Sequence, residues 1–294
     1  MSFVRITVLT MLAMIAFAGN SILCRFALKQ TSIDAASFTS IRLVSGAAVL
    51  WAITIFFRSD RTGRGNWVSA FSLFAYAAGF SFAYISLTAS TGALLLFGAV
   101  QATMIGHGLW AGERLHKQQL VGLALAFGGL VGLLLPGLSA PPLLGSVLML
   151  IAGFAWGIYS LRGKGAGDPT RVTAGNFLRA SLFTALLSMF LYSNSNPDII
   201  GIVYAIASGA ITSGLGYALW YSVVPALKAT NAATVQLSVP VIAALGGIII
   251  LGESVTTRFV LASLSILGGI ALVILSKPQR NVARNVVPAD AKER

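Results

Sequence analysis

The sequence predicts an all-α, polytopic membrane protein whose ten transmembrane helices form two inverted repeats of five. Three observations carry this prediction: an apolar composition, a regular series of long apolar runs, and a second half that repeats the first. Hydrophobic residues make up 56% of the 294 residues, charged residues make up 10%, and the mean hydropathy is +0.85. Because soluble domains are about one quarter charged, this composition indicates a surface that faces lipid.

Ten apolar runs, each bounded by charged residues, proline or polar clusters, are long enough to cross a bilayer. They lie at 4–24, 34–57, 67–86, 90–111, 118–135, 143–161, 172–192, 198–221, 230–251 and 257–276. No small-residue cleavage site follows the first run, so we expect it to remain as a span rather than to act as a signal peptide.

Lysine and arginine fall mainly in alternate loops, and this asymmetry predicts the orientation of the spans. With a cytoplasmic N-terminus, the inside segments hold fifteen of these residues, the outside loops hold Arg25, Lys29 and Arg258, and Arg42 and Arg179 lie within spans. Because positive charge accumulates on the cytoplasmic side, we expect both termini in the cytoplasm of a bacterial inner membrane. The same distribution accounts for the net charge of +12, so a nucleic-acid partner is not expected.

The second half of the chain repeats the first at two offsets. A shift of 140 residues places the stretch from Ser90 on the stretch from Thr230, and a shift of 137 aligns the earlier helices. The matched positions include Gly112-Glu113 with Gly252-Glu253, Gly128-Gly129 with Gly268-Gly269, Arg25 with Arg162, and Arg42 with Arg179. Such internal similarity predicts two copies of one structural unit.

The two predicted halves are residues 1–135 and 143–276, followed by a disordered basic cytoplasmic tail at 277–294. Each half holds five spans, an odd number, so the second half is inserted upside down relative to the first. Inverted repeats of this kind build transporters that work by alternating access around a site near the membrane midplane. We therefore expect two five-helix halves that rock about one central cavity, lined by helices 1, 3, 4, 6, 8 and 9.

The repeated pattern resembles the EamA domain of the drug/metabolite transporter (DMT) superfamily. The closest stretch is ALKATNAATVQLSVPVIAALGGIIILGES at 226–254, with a proline at Pro240 inside the ninth helix and a closing Gly-Glu pair. The resemblance implies a ten-helix bacterial exporter of amino acids and related metabolites. The sixth helix, GFAWGIYS at 153–160, resembles that of the YddG aromatic amino-acid exporters, which implies aromatic or other apolar amino acids as cargo.

Polar and aromatic side chains in the middle of the predicted spans are the candidate substrate-binding residues. They are Asn20, Tyr84, Phe97, Gln101, Trp156, Tyr159 and Tyr217. Phe97 and Gln101 share one helical face, as do Trp156 and Tyr159. Packing between helices, or an aromatic belt at the membrane interface, is the competing interpretation for the aromatic members. A cavity with aromatic walls and a few amides suits neutral or zwitterionic solutes with apolar side chains.

Charged residues near the spans allow two interpretations each. Arg42 and Arg179 lie roughly 12 Å into their helices, at about 1.5 Å per residue, and either hold the architecture together or contact a substrate carboxylate. Glu113 and Glu253 end the fourth and ninth helices, where we expect them to cap the helix that follows, because carboxylates stabilise helix N-termini.

The sequence also limits the available chemistry. All eight acidic residues fall in loops, tails or span ends, so there is no midplane carboxylate for a proton relay and we expect export without proton coupling. The single cysteine, Cys24, allows no internal disulfide. Without a P-loop or an H-E-x-x-H pattern, we expect no enzyme activity, no metal and no cofactor.

The expected partners are a small-molecule substrate and membrane lipid, with the protein acting as a monomer. Three alternatives stay open from the sequence: an exporter of drugs or quaternary amines, a carrier of another metabolite, and a proton-coupled antiporter. A channel would need a continuous polar stripe or rings of charge, and the spans carry neither.

Overall fold

The computed structural model describes residues 2–56, 62–112, 115–137, 140–163, 167–191, 198–227, 232 and 235–275. Over these residues the chain forms ten helices. They are α1 (Phe3–Gln30), α2 (Ala35–Phe56), α3 (Trp67–Tyr84), α4 (Ala89–Trp110), α5 (Lys117–Leu134), α6 (Leu143–Arg162), α7 (Pro169–Phe190), α8 (Ile199–Ala226), α9 (Ser238–Leu251) and α10 (Thr257–Leu275). The predicted tail at 277–294 and the predicted cap at Glu113 lie outside the described residues.

Eight of these helices are long and apolar enough to cross a membrane by length and composition. The other two are α9, which is apolar but shorter, and α7, which carries Arg171 and Arg179. Large apolar side chains such as Trp51, Phe190 and Leu264 are exposed on the outside of the bundle. This exterior is what a polytopic membrane protein presents to hydrocarbon, and the fold class predicted from the sequence is confirmed.

The helices pack in a pattern that mirrors the sequence repeat. α1 packs on α8 and α9, and its repeat counterpart α6 packs on α3 and α4, while α2 pairs with α7 and α5 pairs with α10. Each contact therefore has a counterpart in which the two halves exchange places, as expected for two units related by a pseudo-two-fold axis. The arrangement leaves α1, α3, α4, α6, α8 and α9 around the centre.

Side chains at the helix starts satisfy the free backbone N–H groups there. Asn66, Thr88 and Asp168 accept hydrogen bonds from the first turns of α3, α4 and α7. Asp198 caps α8 and also accepts from the backbone N–H of Ser32, in the loop between α1 and α2. The backbone donors of Ser32 and the first turn of α8 hold the pKa of the Asp198 carboxyl below its usual value.

The middle of α8 is a π-helical segment, Ser208–Leu215, and π-segments inside α-helices often mark functional sites. Glycine allows this segment to approach α2 closely. A Cβ on Gly209 would overlap the carbonyl oxygen of Arg42 and the hydroxyl of Ser45. The close approach brings the hydroxyl groups of α8 next to the arginine of α2.

Two helices differ from the expected spans for clear physical reasons. α1 continues to Gln30, past the predicted end at residue 24, because the charge of Arg25 is neutralised inside the bundle and need not end the helix. The ninth helix breaks at Leu237, so that Pro240 lies in the first turn of α9 instead of at mid-helix. Proline lacks an N–H and clashes with the carbonyl four residues before it, which explains the break.

Candidate functional site: a central aromatic cavity

A cavity of about 300 Å³ lies at the centre of the helical bundle. Its lining comes from α1, α3, α4, α6, α8, the segment before α9 and the first residue of α7. The lining residues are Phe17, Asn20, Tyr76, Phe80, Leu96, Phe97, Gln101, Met104, Trp156, Ser160, Gly163, Pro169, Thr212, Ser213, Tyr217, Trp220, Tyr221, Val224, Ala232 and Gln236. The volume is at the lower end of the range for small-molecule sites, about 300–1,000 Å³.

The cavity reaches only one end of the bundle. Four lining residues lie beside the connections at this end: Gly163 and Pro169 beside the α6–α7 connection, and Val224 and Ala232 beside the α8–α9 connection. The opposite end, where α1 and α9 finish and α4 begins, contributes no described residue to the lining. The structure therefore has one accessible end and one closed end.

Trp156 forms the centre of the aromatic wall. Its ring stacks on Tyr159 at 5.3 Å and on Tyr217 at 5.1 Å between centroids, and lies 4.8 Å from Tyr76. Tyr217 in turn contacts Phe17 at 5.6 Å. Such a wall offers flat apolar faces on which an aromatic or apolar side chain can pack.

Close packing of α6 on α4 positions Trp156. A Cβ on Gly153 would lie 2.5 Å from the Cβ of Ala99, and a Cβ on Gly157 would lie 2.6 Å from the Cβ of Thr103. The two glycines therefore let the helices touch on both sides of Trp156 along the sequence. A larger residue at either glycine would push the indole away from its place in the cavity wall.

The polar base of the cavity is organised by Asn20 on α1. Its amide nitrogen donates to the Tyr76 hydroxyl at 3.2 Å, and its amide oxygen accepts from Ser208 at 2.6 Å and from Thr212 at 3.3 Å. The side chain is buried. Asn20 thus links α1 to α3 and to the π-segment of α8.

Asn20→Leu is expected to lower the stability of the folded protein by about 1–3 kcal/mol, because the buried hydroxyl of Ser208 loses its acceptor. Denaturation in detergent micelles, followed by circular dichroism, measures the loss. Ser222→Ala is the control, since that exposed hydroxyl bonds only to the backbone of its own helix. Equal midpoints for Asn20→Leu and the parent would contradict the assigned network.

Arg42 on α2 extends this polar network, and it is 1% exposed. It donates to the Tyr76 hydroxyl at 2.8 Å and to the Ser213 hydroxyl at 3.3 Å, and its guanidinium carbon lies 4.8 Å from the Phe80 ring centroid. All three of these partners line the cavity. Arg42 itself stands directly behind the cavity wall.

Arg179, the repeat counterpart of Arg42, has a different environment. It donates to the backbone carbonyls of Arg64 and Gly175, and its guanidinium lies over the Trp67 ring at 5.6 Å. None of these residues lines the cavity. The two arginines that the sequence makes equivalent therefore have different surroundings in this conformation.

Five of the seven candidate binding residues line the cavity: Asn20, Phe97, Gln101, Trp156 and Tyr217. The side-chain nitrogen of Gln101 is buried and has no hydrogen-bond partner among the described residues, so it is free to bind a solute.

The other two candidates lie behind the cavity lining. Tyr84 is fully buried and donates to the backbone carbonyl of Ala89 at 3.3 Å. Tyr159 supports Trp156 from behind, with its hydroxyl 3.4 Å from that of Thr173.

Sequence reasoning did not select several lining residues that contribute polar or aromatic groups, among them Tyr76, Phe80, Ser213 and Gln236. The repeat contained a signal for one of them, Phe80. At an offset of 137, Phe80 is the counterpart of the selected Tyr217, and Tyr76 is the counterpart of Ser213. The signal for Gln236 is its amide in an apolar run, the same reason that selected Gln101.

The closed end of the bundle is held by a group of contacts that we call the Arg25–Glu253 cluster. Arg25 on α1 lies 3.8 Å from the carboxylate of Glu253 and donates to the carbonyls of Tyr84 and Ile85 at 2.8 and 2.9 Å. Glu253 accepts from the backbone N–H of Ala89 at 2.8 Å. The cluster joins α1, the α3–α4 turn and the end of α9.

Two expectations are corrected by the Arg25–Glu253 cluster. Glu253 caps the start of α4 and not that of α10, the helix that follows it in the chain. Arg25 lies inside α1 and is 9% exposed, whereas the sequence placed it in an outside loop. In both cases the reason is a partner distant in sequence that offers a stronger interaction than the local one.

The described residues contain no group of three or more His, Cys, Asp or Glu side chains that could hold a metal ion. His107 is exposed near the end of α4 and does not line the cavity.

The arrangement as a whole is a membrane-embedded bundle around one solute-sized cavity that reaches one end, which defines the protein as a membrane transporter for small molecules.

The chain belongs to the EamA-like transporter family, which matches residues 5–135 and again residues 143–275. A solved crystal structure has a TM-score of 0.65 and 18% sequence identity, and covers 92% of this chain and 98% of its own; it supports the fold.

Two relatives illustrate the range of similarity. An uncharacterized Pseudomonas aeruginosa protein is 57% identical over 271 residues, which are 92% of this chain and 94% of that protein. An Escherichia coli protein named "Probable amino-acid metabolite efflux pump" is 24% identical over 188 residues, which are 59% of this chain and 63% of that protein. The family and the name of the Escherichia coli relative describe transporters rather than enzymes.

Proposed function

We propose that this protein exports amino acids with aromatic or other apolar side chains, and related small metabolites, across a bacterial inner membrane. The proposal rests on one observation above all: the central cavity combines stacked aromatic walls with the buried amide nitrogen of Gln101, which has no hydrogen-bond partner among the described residues. The name of the Escherichia coli relative, an amino-acid metabolite efflux pump, points in the same direction.

The two kinds of lining group match the two ends of such a solute. Trp156 and Tyr217 present apolar faces to a side chain. The unpaired nitrogen of Gln101 and the amide of Gln236 supply hydrogen bonds for the polar end. A solute that lacked polar groups would leave the Gln101 amide unsatisfied, which costs about 1–3 kcal/mol, so the cavity favours amphipathic molecules.

Transport would proceed by alternating access. The cavity reaches one end while the Arg25–Glu253 cluster closes the other, and two halves at 1–135 and 143–276 would exchange these roles by rocking about the central site. By the distribution of positive charge, the accessible end would face the cytoplasm, with both termini on the same side. We expect the protein to work as a monomer, since one chain encloses the cavity.

Coupling to protons is not part of the proposal. The described residues that line the cavity include no Asp, Glu or His, and a proton relay in the membrane needs such groups. Among the described acids Glu253 is the buried one, and it is paired with Arg25 at the closed end. Export would therefore run down the gradient of the solute.

Reconstituted protein tests this function directly. Proteoliposomes preloaded with unlabelled phenylalanine are expected to take up labelled phenylalanine faster than empty liposomes, because a facilitated carrier catalyses exchange. An imposed pH gradient should leave the rate unchanged. Absence of exchange for every amino acid tested would refute the cargo, and acceleration by the gradient would refute uncoupled transport.

A further inference from the structure

The charges around the cavity identify the chemical group by which a solute is selected. We propose that the positive charge of Arg42 selects solutes that carry a carboxylate, which binds at the cavity wall formed by Tyr76 and Ser213. The inference rests on the proposed function in that it concerns the same cavity, but it specifies the charge class of the cargo. It excludes quaternary amines and other cations.

Arg42 is buried in the bundle. Its side chain is 1% exposed on α2, a helix of the membrane bundle. A charged group at such a position is costly, and it normally pairs with an opposite charge or serves a binding function. The nearest groups here are hydroxyls and aromatic rings, which satisfy part of the guanidinium but leave its charge uncompensated.

Arg42 has no acidic counter-ion in the described part of the chain. The acid that forms an ion pair in this part is Glu253, and its partner is Arg25. The other described acids lie at the starts of helices, where they accept backbone hydrogen bonds: Asp34 at α2, Asp168 at α7 and Asp198 at α8. A solute that brings a negative charge would therefore complete the site.

Hydrogen-bond donors for an anion are present around Arg42 and at the adjacent cavity wall. One terminal nitrogen of Arg42 is buried and has no hydrogen-bond partner among the described residues. The hydroxyls of Tyr76 and Ser213 accept from Arg42 and line the cavity, so each can turn its own proton toward a bound anion. A hydroxyl polarised by a guanidinium is a stronger donor than an isolated one.

The other lining groups restrict the anion to a single carboxylate. No described lining residue is a lysine or an arginine, so a phosphate dianion would find a single positive charge behind the wall. The rings of Tyr76, Phe80 and Trp156 would cover the apolar part of the solute. A monocarboxylate attached to an apolar or aromatic group satisfies both parts of the cavity.

Binding of matched pairs of small molecules tests the selection by charge. Trp156 and Trp220 line the cavity, so quenching of tryptophan fluorescence in purified, full-length protein reports occupancy. We expect 3-phenylpropionate and phenylalanine to bind about 10- to 100-fold more tightly than phenethylamine and phenylalaninamide, the advantage that hydrogen bonds to a charged group provide. Equal affinity for the acids and the amines would overturn the inference.

Substitution of Arg42 assigns the preference to its charge. Arg42→Gln is expected to reduce the preference for carboxylates to less than threefold, whereas Arg42→Lys keeps most of it. Arg179→Gln is the matched control, because this repeat counterpart contacts backbone carbonyls and the Trp67 ring outside the cavity. Retention of the full preference in folded Arg42→Gln would refute the role of Arg42.

If Arg42→Gln does not fold, the pair Tyr76→Phe and Ser213→Ala supplies the same test, since these changes remove the hydroxyls between Arg42 and the cavity while leaving its charge. They too are expected to weaken carboxylate binding, and an unchanged preference would overturn the inference. Binding and transport separate the two proposals. Carboxylate binding that depends on Arg42 without any transport would refute the proposed function alone, whereas transport of acids and amines at equal rates would refute this inference alone.

Discussion

Glu253→Gln is expected to raise at least tenfold the population of the conformation whose cavity reaches the end that is closed in this structure. The substitution removes the charge that pairs with Arg25 and weakens the cap on α4. Under the proposed alternating access these interactions would exist only while that end is closed, so their loss should destabilise this conformation relative to the alternative. A difference of about 1.4 kcal/mol is enough for a tenfold shift, and removing one partner of a buried pair costs about 3–5 kcal/mol.

Accessibility of an engineered cysteine measures this shift. In a Cys24→Ala background, Phe97→Cys places the only thiol in the cavity. With Glu253 present, a membrane-impermeant thiol reagent should modify this cysteine from one side of the membrane. With Glu253→Gln, modification should occur from both sides. Labelling from the same single side at an unchanged rate would show that the Arg25–Glu253 cluster does not hold that end closed.

Two further variants separate the ion pair from general effects of charge. Arg258 lies near the same end at the start of α10 but bonds to the carbonyl of Leu135 and to none of the described acids, so Arg258→Gln should leave the labelling one-sided. In the double variant Arg25→Gln/Glu253→Gln, the change in the conformational equilibrium should be smaller than the sum of the two single changes. Additive effects would argue against a direct coupling of the two side chains.

Gly269→Ala is expected to lower the free energy of unfolding by about 1–3 kcal/mol, the usual cost of an added methyl group in a well-packed contact. α10 lies against α5 here, and a new Cβ would overlap the carbonyl oxygen of Gly122 and lie 2.7 Å from the backbone nitrogen of Ala126. Because both neighbours are backbone atoms, neither can rotate away. The two helices would have to separate.

The adjacent glycine provides the control for this prediction. A Cβ on Gly268 would meet no heavy atom within 4 Å, so Gly268→Ala should be neutral or stabilise by up to about 1 kcal/mol through helix propensity. Thermal denaturation of the two variants in the same detergent gives the comparison. Equal losses of stability would mean that the α5–α10 contact does not depend on the missing side chain at Gly269.

Local patterns predicted much of this architecture. Apolar runs located every helix, because the bilayer sets both the length and the polarity of a span. The repeat related α1 to α6 and α4 to α9, and the structure packs these helices as counterparts. Within the site, the amide of Gln101 could be selected because a polar group in mid-span needs a polar partner or a cavity, and the indole of Trp156 could be selected because it shares the predicted sixth span with Tyr159.

Contacts between distant segments could not be predicted in the same way. Arg25 was assigned to a loop because a charge usually ends an apolar run, and its partner Glu253 lies in the other half of the chain. The equivalence of Arg42 and Arg179 suggested one shared role, but the two side chains have different neighbours. The repeat relates the two positions in the sequence but does not specify the neighbours of each side chain.

The apolar exterior has a consequence for how this molecule must be studied. Side chains such as Trp51, Leu182 and Ile249 are exposed on the outside of the bundle. In a bilayer they contact hydrocarbon whether the helices are separated or packed together, so packing gains no free energy from removing them from water. The hydrophobic effect therefore inserts the helices but does not hold them against one another. Truncating such an outward residue should be almost silent, and the sensitivity of the fold to mutation should concentrate in its glycine contacts and its few internal polar groups.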